Sequence, residues 1–467
     1  MHERLPQPPP AKEAWVDLEE MMSKAAERVK TQVSTKPTRI HKFPHHLRGI
    51  DGADGRYIVP SVVAIGPYHH GQPHLQAMEE VKRAAAHSFC QDSGRPVKEV
   101  YEKIVSVVGD ARRCYTINDD TSLMATMSDA EFTAMMFLDG CFLLRLMTDD
   151  DEPPIVGCLH SSGTNIYKDI FMLENQIPWL VIEALMEFRP VDLVNDWLIP
   201  LARQYFLESQ EATLWSTWFQ RSLEAFLTKC CCVKEEKIHT NDESDMSNED
   251  YKPPHLLGLL WFRMTLGMPS QRGKGENTYR RSRALSNSAV YLAQIGIKLT
   301  ASRAAWFADM AVRKKPFCGE LSLSPLFLDD FAACCLVNLA ALEAVEATND
   351  QSNDSDGHVV TSYISLLVTL MDQEEDVHKL RSKGVLSSRR FSDAETLAFF
   401  KGLGRHLRLG YNYYAVMEDI YEYKRKRPVR IAVYRFVYEH HRLIVTVLSI
   451  ASVLIGIFKA LYSLKKP

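Results

Sequence analysis

From Leu443 to Phe458 no charged residue interrupts the chain, and apolar character continues past Lys459 to Leu464, before Lys465, Lys466 and Pro467. A helix over 443–464 is about 33 Å long, which matches the roughly 30 Å hydrocarbon layer of a bilayer. The run is apolar on every side, so it keeps no polar face for water. The stem of Lys459 is long enough to carry its ammonium to the headgroups. A buried core helix is the plainer alternative, because the charge-free run is shorter than the usual span of about 20 residues. The expectation is a mainly α protein: a large helical globular body with a small antiparallel β meander and one C-terminal transmembrane helix.

Charge on either side of this run sets the expected orientation. Ahead of it stand Lys424, Arg425, Lys426, Arg427, Arg430, Arg435 and Arg442; beyond it only Lys459, Lys465 and Lys466. The positive-inside bias then places the N-terminal body on the cytoplasmic side of a plasma membrane or endomembrane. Arg435, Arg442, Lys459, Lys465 and Lys466 form the expected membrane interface, with lipid as the partner of the C-terminal helix. The N-terminus, Met1 to Pro10, has no apolar core, so no signal peptide is expected.

The 467 residues include 46% hydrophobic and 24% charged side chains, enough to bury a sizeable core. With 55 basic and 59 acidic residues the net charge is −4. General nucleic-acid binding needs a basic excess, and none is present. The ten cysteines include the clusters Cys230 to Cys232 and Cys334–Cys335, with no C-x-x-C pair. Zinc-type spacing is therefore missing, and reduced thiols are expected.

Along the chain, residues 1–34 read as a Pro-rich leader followed by an amphipathic helix. Residues 35–232 form the N-terminal part of the body, and 233–254 an acidic disordered loop. Residues 255–427 form its C-terminal part, 428–442 a basic juxtamembrane segment, and 443–464 the membrane span. Ser128 with Glu131 and Ser392 with Glu395 are capping boxes, each opening a helix. The helix over 132–147 is nearly all apolar and should be central. Pro178 cannot continue a helix but suits the first turn of a new one, so two helices should meet at 175–177. Short alternating runs at 296–299, 306–312 and 320–323 suggest the meander.

Chemistry is sparse. Gly66, Pro67, Tyr68, His69, His70 and Gly71 form the stretch that most resembles a site, with His45 and His46 upstream. Adjacent imidazoles on extended chain point to opposite sides, and no carboxylate or Cys stands at ligand spacing, so a structural turn is favoured over a metal site, with a partner-recognition surface as the remaining reading. Glu174, Asn175 and Gln176 place polar groups between two apolar helices, either as a pocket or as partners for the helix ends. Asp139, Gly140 and Cys141 interrupt an apolar helix, but spacing alone identifies no base for a Cys nucleophile. No G-x-S-x-G, P-loop, H-E-x-x-H or kinase loop set occurs. No catalytic, cofactor-binding or metal residues are assigned, and no cofactor is expected.

The run Ile65 to Gly71, followed by Leu75, Met78, Glu79 and Lys82, resembles the hallmark of the plant DUF247 family, also called UPF0481. Phe43–Pro44, Asp139 to Leu144, Leu173 to Pro178, His255 to Leu257, Asn338 to Glu343 and the C-terminal run match in the same order. Ala64 stands where the family usually has Ser. The resemblance implies single-pass plant membrane proteins with a large helical body and no established catalytic activity, some grass members being implicated in pollen self-incompatibility. The expected function is a membrane-anchored, non-enzymatic recognition or scaffold module with an unknown protein partner. The alternative is an enzyme or small-ligand binder with a site near Tyr68, His69, His70 and Glu174. A third reading is lipid contact through the basic residues ahead of the tail.

Overall fold

The computed structural model describes residues 22, 40–48, 55–115, 126–148, 163–206, 252–265, 287–302, 307–315, 318–349 and 358–464, and over these the chain is mainly helical. Both capping boxes form. The Glu131 backbone N–H donates to the Ser128 hydroxyl at 3.2 Å, and the Ser128 N–H donates back to the Glu131 carboxylate at 2.9 Å. The same reciprocal pair at Ser392 and Glu395 opens the helix Asp393–Gly404. Two otherwise orphaned N–H groups are satisfied at each start.

Four helices make the first layer: α1 (Ala77–Asp92), α2 (Val97–Arg113), α3 (Asp129–Met147) and α4 (Trp179–Met186). Helix α3 is buried almost all round, as its apolar sequence requires, and α1, α2 and α4 pack against it. Pro178 is the N-cap of α4, so the break falls where a proline must end one helix and suits the next. Helix α2 carries a strong amphipathic pattern of its own, which the sequence reading did not single out. Beyond α5 (Ile199–Phe206) and α6 (Leu256–Thr265), helix α7 (Ala289–Gln294) leads into the sheet. A second helical layer follows: α8 (Asp330–Asn349), α9 (Val359–Leu370), α10 (Glu374–Ser382), α11 (Asp393–Gly404) and α12 (Tyr411–Lys426). One hydrophobic cluster joins both layers, from Ile40 to Tyr423. Each fully buried Leu or Phe in it contributes about 1.5–3 kcal/mol relative to exposure.

The small β element comprises β1 (Ile297–Ala301), β2 (Ala311–Lys314) and β3 (Gly319–Leu323); β1 and β3 fall on the expected runs, β2 starts only at the end of the run at 306–312, and the sheet is not an antiparallel meander throughout. Its order is β1-β3-β2: β2 pairs antiparallel with β3, while β1 pairs parallel with it, Leu299 opposite Leu321. Burial explains the order. Strand β3 is buried on both faces and takes the centre, whereas β2 carries exposed Arg313 and Lys314 and forms an edge. A two-stranded parallel pair, β4 (Leu326–Phe327) with β5 (Leu386–Ser387), ties the sheet end to the second layer.

The tail requires a correction. Pro428 opens a single helix, α13, that runs to Leu464, so the expected juxtamembrane segment and span are one element. Among the described residues no helix is long and apolar enough to cross a membrane, and the expected C-terminal transmembrane helix does not stand. The charge-free stretch Leu443–Phe458 covers only about 24 Å as helix, short of a hydrocarbon layer of roughly 30 Å. Thr446, Ser449 and Ser452 dilute it further. Helix α13 is fixed to the body at its start, where the Tyr434 ring lies over Gly296 and the helix meets α7 and α12. Arg435 is exposed on it. Arg442 and Lys459 fall within the helix, and Lys465 and Lys466 lie outside the described residues, as do the leader apart from Met22 and the 233–251 part of the acidic loop.

Candidate functional site

The two stretches that the sequence singled out, 66–71 and 174–176, come together in space. Glu174 is buried, and its Oε1 accepts from the Phe43 backbone N–H at 2.8 Å and from Arg48 Nη2 at 2.7 Å. His69 Nε2 lies 3.6 Å from Glu174 Oε2. Burial, with the nearby charges of Arg48 and His74, lowers the His69 pKa to about 4, so the ring is neutral near pH 7 and this contact is not an ion pair there. Arg48 is the cation that meets Glu174. Gln72 and His69 Nδ1 are 3.2 Å apart. Tyr68 is half-buried, its hydroxyl donating to the Ile40 carbonyl at 3.3 Å and its ring edge-on to Tyr115.

Asn175 and Gln176 serve the backbone. Asn175 Oδ1 accepts from the Ile65 N–H at 2.7 Å, while Nδ2 donates to the carbonyls of Val63 and Asp169 at 3.0 Å each. Gln176 Nε2 donates to the carbonyls of Ile170, Met172 and Asn175, and Oε1 accepts from the Leu257 N–H at 3.0 Å. The carbonyls left over where the helix at 163–170 ends before Pro178 are thereby satisfied, as buried backbone requires.

Further residues complete the clamp. Asp169 accepts from the consecutive N–H groups of Ser61, Val62 and Val63, at 3.0, 2.6 and 3.0 Å. Burial pushes its carboxyl up, and those N–H groups pull it back. Asp139 Oδ2 accepts from the Gly66 N–H at 2.8 Å, and Asp139 Oδ1 meets Lys82 Nζ at 2.7 Å. Lys82 also reaches Glu79 at 2.8 Å. Burial alone would lower the Lys82 ammonium, but the charges of Asp139 and Glu79 outweigh it and hold it protonated. Asn338 on α8 accepts from the Leu173 N–H and donates to the Tyr57 carbonyl, both at 2.8 Å, which ties the second layer to the same knot. Gly66 is left-handed at φ +75°, and a Cβ there would stand 2.4 Å from the Gln176 carbonyl oxygen. Only glycine permits that approach.

The sequence reading left Lys82 and Asp169 without a role. Both stand beside other charges, Lys82 with Glu79, Glu80 and Arg83, and Asp169 with Lys168, so nothing in the local sequence marks either as the buried one.

What the cluster does chemically is hold the segment 57–71 against the body. Asn175 and Gln176 border a cavity of about 10 Å³ lined mainly by apolar side chains, room for one water at most. Cys141 is a buried free thiol pushed well up by burial, which disfavours the nucleophilic thiolate. Cys90, Cys114, Cys318, Cys334 and Cys335 are also free thiols. Among the described residues no three His, Cys, Asp or Glu side chains converge to hold a metal ion.

Comparison with known proteins agrees with the family resemblance. The family model DUF247, a plant protein of unknown function, matches residues 40–455. The chain is similar to the UPF0481 protein At3g47200 of Arabidopsis thaliana, 28% identical over 362 residues that cover 74% of this chain and 68% of that protein. It is also similar to a second Arabidopsis thaliana UPF0481 protein, At3g02645, 24% identical over 415 residues that cover 75% of each. No solved structure matches it. With the family model spanning most of its length, the chain belongs to the DUF247 family of plant proteins of unknown function.

Proposed function

We propose that this protein is a non-enzymatic recognition or scaffold module that docks another protein. The observation that carries the reading is on α13. Val429, Val433, Phe436, Leu443, Val447 and Ile450 are each more than half exposed and follow one another at steps of three, four or seven residues. A contiguous apolar stripe of this kind marks an interaction surface, and its spacing suits a helical partner. The most chemically loaded residues of the family motif support the same reading, because their polar atoms are engaged in holding the body together.

Affinity capture with the tagged full chain tests it. The wild-type chain and a Lys98→Gln control should retain one protein in stoichiometric amount, and the double variant Val433→Asp, Phe436→Asp should lose it. No stoichiometric partner, equal retention by the double variant, or binding to phosphatidylcholine vesicles in place of a protein would contradict the proposal.

A further inference from the structure

The turn at His45–Leu47, helix α8, the start of α9 and the segment after α11 meet around a cleft of about 40 Å³. One enclosed water needs about 10–15 Å³, so this space suits a single small oxyanion. His46, His358, His406 and Arg408 line it, over a floor that includes Thr361 and Ala344. Among the described residues that line it there is no carboxylate. His358 Nδ1 is buried and has no hydrogen-bond partner among the described residues. Burial, together with the charge of Arg408, lowers the His358 pKa and keeps its ring neutral. The arrangement does not suit a cation: among the described residues no His, Cys, Asp and Glu set can hold a metal ion, and Arg408 would repel one.

Glu343 stands behind the floor and is already saturated. It accepts from Trp261 Nε1, from the N–H groups of Val360 and Thr361, and from the Thr361 hydroxyl. Its charge is met by these donors at the start of α9, so it is not available to pair with Arg408.

We propose that this cleft binds a phosphoryl oxyanion, with Arg408 as the principal donor and the ring N–H groups of His46, His358 and His406 as additional donors. A guanidinium presents paired N–H groups that match two oxygens of such an anion. A neutral imidazole still has one N–H to give, and His358 can direct it through Nδ1. The cleft admits the phosphoryl group and leaves any carrier outside. Free inorganic phosphate and a phosphoserine side chain share this chemistry.

Calorimetric titration of the full chain tests the proposal, with sodium phosphate in one series and O-phospho-L-serine in another, at ionic strength held constant with chloride. The wild-type chain and Lys98→Gln should bind at least one probe with the same affinity. Arg408→Gln, at an exposed position, should weaken binding at least roughly tenfold. Ala344→Leu, which fills the cleft and leaves every charge in place, should weaken it as well. Tighter binding of phosphoserine assigns the site to a protein-borne group, and equal or weaker binding assigns it to the free ion. Absence of saturable binding by both probes, or unchanged affinity in Arg408→Gln, overturns the proposal.

Discussion

Lys82 Nζ on α1 lies 2.7 Å from Asp139 Oδ1 on α3, and neither side chain reaches solvent. The two helices are 37 positions apart at their nearest ends, and the pair joins them: each buried charge is met chiefly by the other, with Glu79 as a second partner of Lys82. Removing one partner, by Lys82→Met or Asp139→Leu, should cost about 3–5 kcal/mol. The double replacement should cost clearly less than the sum of the two. The exposed pair Arg83–Glu80 on the same helix should be worth under about 1 kcal/mol. Denaturant unfolding of the wild-type chain and the three Lys82 and Asp139 variants measures this, and additive single and double losses would contradict it.

Gly66 and Gly71 separate backbone strain from packing. Both have left-handed φ, +75° and +79°. A Cβ at Gly66 meets the Gln176 carbonyl oxygen at 2.4 Å, whereas a Cβ at Gly71 meets no described residue within 4 Å. Gly71→Ala should therefore cost only the conformational term of about 1–2 kcal/mol. Gly66→Ala should cost more than that, at least about 3 kcal/mol, because the clamp must open to admit it. Equal losses in thermal unfolding would show that the close approach does not matter.

His69 makes stability depend on pH. Its folded pKa, lowered to about 4 by burial and then by Arg48 and His74, lies below the ordinary value of 6.5. Above pH 6.5 neither state binds the proton. Between 6.5 and 4 the unfolded chain binds it and the folded chain does not, so stability falls as pH falls through that window. Each pKa unit corresponds to about 1.4 kcal/mol, which gives a loss of roughly 3 kcal/mol by pH 4 from this group. Unfolding free energies measured from pH 7 to 4 should fall more steeply for the wild-type chain than for His69→Gln, and parallel curves would rule this contribution out.

Glu343 accepts four hydrogen bonds, all from donors. Glu343→Gln turns one acceptor oxygen into an NH₂ that faces N–H groups. The variant should lose about 2–4 kcal/mol, since a buried donor then lacks a partner and opposes another. A shift in the Trp261 fluorescence should accompany the loss, because the indole N–H donates to this carboxylate at 2.9 Å. A variant with unchanged stability and emission would show that Glu343 is not the acceptor.

Local signals were readable in the sequence and long-range ones were not. The capping boxes at Ser128 and Ser392 and the helix start at Pro178 depend on residues within one turn, and they form as their spacing demands. The apolar run of α3 marked it as central for the same reason. The meeting of Asp139 with Lys82, or of Asn338 with Leu173 across 165 positions, leaves only the signature of a lone polar residue in an apolar stretch. The parallel pairing of β1 with β3 depends on which strand is buried on both faces, a property of the finished packing rather than of any one strand. The C-terminal run was overread because its end-to-end length counted residues beyond Lys459, while the charge-free part is shorter.

The central claim is that the family's most recognisable residues form an internal clamp on the segment at 61–66. Native-state hydrogen exchange tests it most directly, at the amides of Val62, Val63, Ile65 and Gly66, whose partners are Asp169, Asn175 and Asp139. The account predicts protection close to that of global unfolding in the wild-type chain, and marked loss of protection at Ile65 in Asn175→Ala. Fast exchange at these amides in the wild-type chain would contradict it, because a segment that opens freely is a mobile loop and not a clamped part of the core.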